Sequence, residues 1–181
     1  MQANEVIHLT SELIRIDYTN PWLIPAGAGE AKIATFIANW LNRLGIEPLL
    51  EEVEDGRSNL IARLPGRGGK SLCLYAHTDT VGCDLWKDRA FSPRLENDRL
   101  YGLGAADDKG HCAIALLTFK SLIEHGYPLR GDVWLALLVD EEGTSSGTMH
   151  FVEHHRPDAT IVLEPFGLGN IVITHQGFGW L

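Results

Sequence analysis

The chain has 181 residues, 45% of them apolar and 22% charged, which is enough for one sizeable core and excludes disorder and coiled coil. Fifteen Lys and Arg against 24 Asp and Glu leave a net charge of −9. No basic cluster gathers on any stretch, so nucleic acid is excluded as a partner.

Asn4 to Ile16 carries Val6, Ile7, Leu9, Leu13 and Ile14 at helical spacing, and Asn20-Pro21 stops it. The same region, with Glu5, Glu12, Arg15 and Asp17, has no apolar block behind basic residues and is not a secretory signal. Glu30 to Leu44 repeats the helical pattern and closes on Gly45. Ile46 to Val53 and Asn59 to Leu64 read as strands joined by an Asp55-Gly56 turn. Leu72 to Ala76 is an unbroken apolar run, as expected of a strand covered on both faces, and it ends in His77-Thr78-Asp79. Arg94 to Tyr101 reads as two short strands around a tight turn at Glu96-Asn97-Asp98. Helix His111 to His125, strand Asp132 to Val139, a short helix around Thr148 to His155 and strand Ala159 to Leu163 complete the pattern. Strands alternating with helices predict an α/β fold: three layers, a mostly parallel sheet and helices on both faces. No stretch is long and apolar enough to span a membrane. Cys73, Cys83 and Cys112 are odd in number and lack C-x-x-C spacing, so reduced thiols in a cytoplasmic protein are expected.

Four strand ends or the loops after them carry the chemistry: His77 with Asp79, Asp107 with Asp108, Glu141 with Glu142, and Glu164. Open α/β sheets bind ligands beyond the carboxyl ends of their strands, so these groups are expected to converge. His77 and Asp79 project to one side of an extended chain, where one can hold a metal and the other orient it. One imidazole among several carboxylates suits zinc, cobalt or manganese, and a carboxylate between two such ions can bridge them. A free carboxylate beside them can move a proton from water to a leaving group.

The segments YAHTDTV, GLGAADDKG, LLVDEEG and VLEP, in this order and spacing, resemble the M20 metallopeptidases, a family that includes acetylornithine deacetylase, succinyl-diaminopimelate desuccinylase, carboxypeptidases and aminoacylases. The resemblance implies a zinc-dependent exopeptidase-like catalytic domain that hydrolyses an amide bond of an N-acyl amino acid or short peptide with two divalent ions. It implies His77 as a ligand of one metal, Asp79 as its orienter, Asp107 as the bridging ligand, Glu141 as general base, Glu142 as a ligand of the other metal and Glu164 as the remaining protein ligand of the metal bound by His77. It also implies a cis peptide bond between Asp107 and Asp108. Two residues depart from the family pattern, Asp108 and His111, and neither is expected to touch a ligand position.

In the family a further histidine ligand lies near the far C-terminus, after an inserted lid that forms the dimer. By this resemblance residues 1–173 are the N-terminal part of the catalytic domain, and 174–181 begin a lid that is otherwise absent. The alternative reading is a non-catalytic or truncated metal-binding domain of the same fold.

Other residues invite simpler readings. Asp108 is expected to meet the dipole of the following helix, His150 and His154 to lie on a solvated face, and Cys83 and Cys112 to fill space. His175 is either a substrate contact or a surface histidine. Gly69-Lys70-Ser71 resembles a phosphate loop, but Leu64 stands where the first glycine belongs and a strand follows the lysine.

Overall fold

The structure is a computed structural model that describes residues 2–83, 86, 89–166 and 171–172. In chain order its elements are α1 (Ala3–Ile14), α2 (Ala31–Asn42), β1 (Leu49–Glu54), β2 (Arg57–Leu64), β3 (Gly69–His77), β4 (Arg94–Glu96), β5 (Arg99–Tyr101), α3 (Lys109–His125), β6 (Gly131–Leu138), α4 (Ser146–His154) and β7 (Ala159–Val162). Strands β4 and β5 form a separate hairpin whose turn residues, Asn97 and Asp98, both take positive φ. Gly45 and Gly126 take the left-handed conformation just past α2 and α3, as helix-terminating glycines do.

Five strands make one sheet in the order β1-β2-β6-β3-β7. Pairings β1–β2 and β2–β6 are antiparallel, whereas β6–β3 and β3–β7 are parallel. Four of the five strands therefore run one way and β2 alone runs against them. The apolar run of β3 is covered on both faces, as its sequence predicts. Leu74 and Ala76 join the core under α1, α2 and α3, with Leu13, Ile37, Leu116 and Phe119. Cys73 and Tyr75 face the other way, against Phe151 of α4.

Register places the chemistry. His77 lies opposite Leu138, and Tyr75 lies opposite Val162. The exits of β3, β6 and β7 thus share one edge of the sheet, and Leu163 extends the pairing by donating its N–H to Tyr75 O at 3.0 Å.

Helix α4 reaches this edge only because Gly147 lets it pass close over β6. Asn59, fully buried, donates to Gly147 O at 2.8 Å and accepts the Val139 N–H at 3.1 Å, tying helix to strand. A Cβ on residue 147 would run into Val139 O and Asn59 Oδ1. Gly147→Ala is expected to lower stability by about 1–3 kcal/mol, the cost of overpacking a filled site. Chemical denaturation checks this, and an unchanged midpoint would mean that α4 can lift from β6 at no cost.

Candidate metal centre

His77 is the last residue of β3 and is 1% exposed. Its Nδ1 lies 3.1 Å from the backbone O of Asp79 and 3.4 Å from that residue's carboxylate. Both neighbours only accept, so Nδ1 carries a proton whatever the state of Nε2, which faces the cleft. There Nε2 meets Asp107 Oδ1 at 2.8 Å, and Glu141 Oε2 and Glu164 Oε1 at 4.0 Å each. Two sets of potential ligand atoms lie within 4.8 Å of one another: His77, Asp107 and Glu142, and His77, Asp108 and Glu164. Residues from four separate segments of the chain converge as expected, with Glu164 grouped beside Asp108 rather than Asp107.

The expected orienter, Asp79, has a wider set of contacts than His77 alone. Its Oδ1 accepts the N–H of Glu141 at 2.9 Å and its Oδ2 that of Glu142 at 3.0 Å, so one buried carboxylate grips the turn bearing both glutamates. Asp140, just before them, takes φ +64 and directs its carboxylate inward. Thr144 and Ser146 each donate a hydroxyl and a backbone N–H to its Oδ2. Burial alone would raise the Asp140 carboxyl, but these donors and Asn20 hold it well below the usual carboxylate range.

Two sequence expectations are corrected here. Asp108 stands at the N-cap of α3, where its charge meets the helix dipole; its peptide bond to Asp107 is cis and its side chain makes no cap hydrogen bond. Asp108 Oδ2 accepts the backbone N–H of His77 at 3.0 Å, and Oδ1 lies 2.5 Å from His111 Nδ1. Both departures from the family pattern therefore bear on a ligand position, because Asp108 holds the backbone that carries His77. Cys112 does more than fill space: its buried Sγ lies 3.1 Å from His77 O, placed to donate to it. His150 and His154 stack on each other at 4.3 Å, and neither joins a three-residue ligand group among the described residues. Residues 174–181, with His175, lie outside the described residues.

The electrostatics of the cleft fit a cation. Burial disfavours a charged His77, but hydrogen bonding to Asp107 and Asp79 and the nearby carboxylates push it up to about 11. Burial, together with neighbouring carboxylates, raises Glu142 and Glu164 to about 7 each, against the opposing pull of His77. Glu141 is raised as well, by burial first and then by Asp79, Asp107 and Asp108. Such crowding of half-buried carboxylates around one imidazole costs free energy that a divalent ion would relieve, and imidazole with carboxylate is a donor set for zinc-like ions.

Sequence reasoning assigned no role to Asn20, Glu30, Arg57 or Asp140. All four are buried, and Arg57 donates to Glu30, Glu54 and Asp140 behind the glutamate-bearing turn. Local pattern gave Asn20 only as a helix stop.

A model of peptidase family M20/M25/M40 matches residues 73–175. An acetylornithine deacetylase from Aliivibrio fischeri is 38% identical over 146 residues, which is 77% of this chain and 37% of that protein. The chain thus spans little more than a third of the length of the curated relatives it matches first. In fold it is similar to a tripeptidase from Staphylococcus aureus, with a TM-score of 0.73 and 22% identity over 91% of this chain and 44% of that one. It is also similar to a dinuclear metal binding peptidase from Bacillus subtilis, with a TM-score of 0.62 and 20% identity over 83% of this chain and 38% of that one.

Proposed function

The chain belongs to peptidase family M20/M25/M40, and from that premise we propose that it carries the metal-binding and proton-transfer groups of a hydrolase acting on an amide bond. The substrate class is an N-acyl amino acid or short peptide, in keeping with the acetylornithine deacetylase and the peptidases it is similar to. The supporting observation is that His77 Nε2 faces Asp107, Glu141 and Glu164 within 4.0 Å in one cleft.

In this reading His77, Asp107 and Glu164 hold one divalent ion, and Asp107 and Glu142 hold a second. Zinc is the first choice, with cobalt and manganese as alternatives. Bound there, the ions would polarise the scissile carbonyl and make a water more acidic. Glu141, which is not needed as a ligand, would take a proton from the attacking water as its oxygen bonds to the carbonyl carbon, and give that proton to the nitrogen as the C–N bond breaks. Its burial beside other carboxylates raises its affinity for a proton, as a base working near neutrality requires. Asp79 keeps His77 in the tautomer that presents Nε2 and holds the turn of Glu141 and Glu142.

The length of the relatives favours a second statement about this chain taken by itself. Two carboxylates hold an ion weakly, and the remaining ligand of the second site is proposed to be a histidine outside residues 1–181, supplied with the lid and the dimer contacts. A cytoplasmic location is proposed from the reduced thiols; no helix among the described residues is long and apolar enough to cross a membrane.

Zinc or cobalt titration followed by calorimetry tests this. One ion is expected to bind tightly and a second weakly, with poor turnover, and His77→Ala is expected to abolish the tight site. Two tight ions with full turnover would place the missing ligand within this chain, and no binding at all would overturn the reading.

A further inference from the structure

Asn20 belongs to none of the ligand-bearing segments and lies 59 positions before Asp79, yet it is fully buried between two carboxylates. Its Nδ2 donates to Asp79 Oδ2 at 2.6 Å and to Asp140 Oδ1 at 2.9 Å. Its Oδ1 accepts the N–H of Trp22 at 2.8 Å. Carboxylates accept only, so the orientation of this amide is forced: nitrogen toward the two acids, oxygen toward the backbone donor. Its own N–H donates to Thr80 O at 2.9 Å, which ties it to the exit of β3.

Both acids bracket the same turn. Asp140 precedes Glu141 in the chain, and Asp79 accepts the N–H groups of Glu141 and Glu142. Without a donor between them, two buried carboxylates repel each other and lose a hydrogen bond each. The neutral amide fills the gap without adding charge and donates to both. The turn closes tightly over the amide, since a Cβ on Gly143 would meet Asp140 Oδ1 and Asn20 Nδ2. Strands β3 and β6 have their own ladder and do not depend on this amide.

Resting on the metallohydrolase reading above, we propose that Asn20 is a positioning residue that clamps Asp79 to Asp140 and so sets where Glu141 and Glu142 stand relative to His77. It touches no reacting atom. Its effect passes through Asp79.

The test uses Asn20→Ala and the isosteric Asn20→Asp, which replaces the donor by a further acceptor. Amide hydrogen exchange in the metal-free chain reads the clamp, and cobalt(II) titration followed by its visible absorption reads the ligand geometry. In both variants the amides of Glu141 and Glu142 are expected to exchange about tenfold faster or more, while β3 and β6 stay protected. Cobalt affinity is expected to fall about 10- to 100-fold, the usual effect of losing a group that orients ligands. Unchanged exchange at Glu141 and Glu142 overturns the proposal. So does loss of protection throughout β3 and β6 in both variants, which would make Asn20 a general support of the fold. If the unsubstituted chain binds no cobalt, the metallohydrolase reading fails, and the exchange measurement still decides the clamp.

Discussion

Replacing Glu141 by Gln is expected to lower kcat on an N-acyl amino acid by about 10²- to 10⁴-fold, the range contributed by a positioned general base. The substitution keeps the size of the side chain and a carbonyl oxygen where a carboxylate oxygen stood. It removes the ability to accept a proton and release it again. Glu141 Oε2 lies 4.0 Å from His77 Nε2, while its backbone N–H is held by Asp79, so the side chain is aimed into the cleft from a fixed anchor. Because Glu141 is not assigned as a ligand, zinc content and KM are expected to stay near their starting values. Glu142→Gln should behave differently, losing metal along with rate, since Glu142 is proposed as a ligand. The comparison is made by steady-state kinetics with metal analysis of each variant. A Glu141→Gln protein that keeps a tenth or more of its activity would move the base to another residue. One that loses its zinc would make Glu141 a ligand.

Much of the site was legible because its chemistry sits at strand ends. The apolar run Leu72 to Ala76 announces a strand buried on both faces, and the residue at which it stops, His77, is where the parallel register brings β6 and β7 to a common edge. The acidic clusters at Glu141 and Glu164 follow the same rule after β6 and β7, whereas Asp107 is delivered by the turn that precedes α3. What lay hidden was polar and long-range. Asn20 meets Asp140 across 120 positions, and Arg57 meets Glu30 across 27. Periodicity reports which face of an element is buried, but it carries no signal for which buried donor finds which acceptor. The second role of Asp108 was hidden for a related reason: its place at the start of α3 suggests only a charge meeting the helix dipole, whereas its carboxylate also accepts the backbone N–H of His77, 31 positions away. Competition for a buried charge is settled by the nearest unpaired donor in space, and local sequence does not show it.

Arg57→Met is expected to destabilise the fold by about 3–5 kcal/mol, the cost of stranding buried partners of an ion pair. Arg57 sits at the start of β2, 5% exposed, and its guanidinium is divided among three acids. Nε and Nη2 grip the two oxygens of Glu30 at 2.7 and 2.6 Å, Nη1 reaches Glu54 at 2.8 Å, and Nη2 also reaches Asp140 at 3.1 Å. Burial opposes its charge, but Glu30, Glu54 and Asp140 hold the proton on more tightly than usual. Glu30 is fully buried, and besides Arg57 its Oε1 has a long contact, 3.3 Å, from the Asp140 N–H. Methionine fills most of the volume of the arginine stem, so the predicted loss comes from uncompensated charge rather than from a cavity. For a chain of this length the loss corresponds to roughly 6–20 °C in Tm. The double variant Arg57→Met with Glu30→Gln separates the two causes. Neutralising the stranded acid is expected to recover at least about half of the lost stability, since most of the cost of breaking such a pair lies in the partner left behind. Thermal or denaturant unfolding of the four proteins in this cycle is the measurement. If the double variant is as unstable as Arg57→Met alone, packing of the guanidinium against β2 and the Glu141 turn, and not its charge, is what holds this end of the sheet.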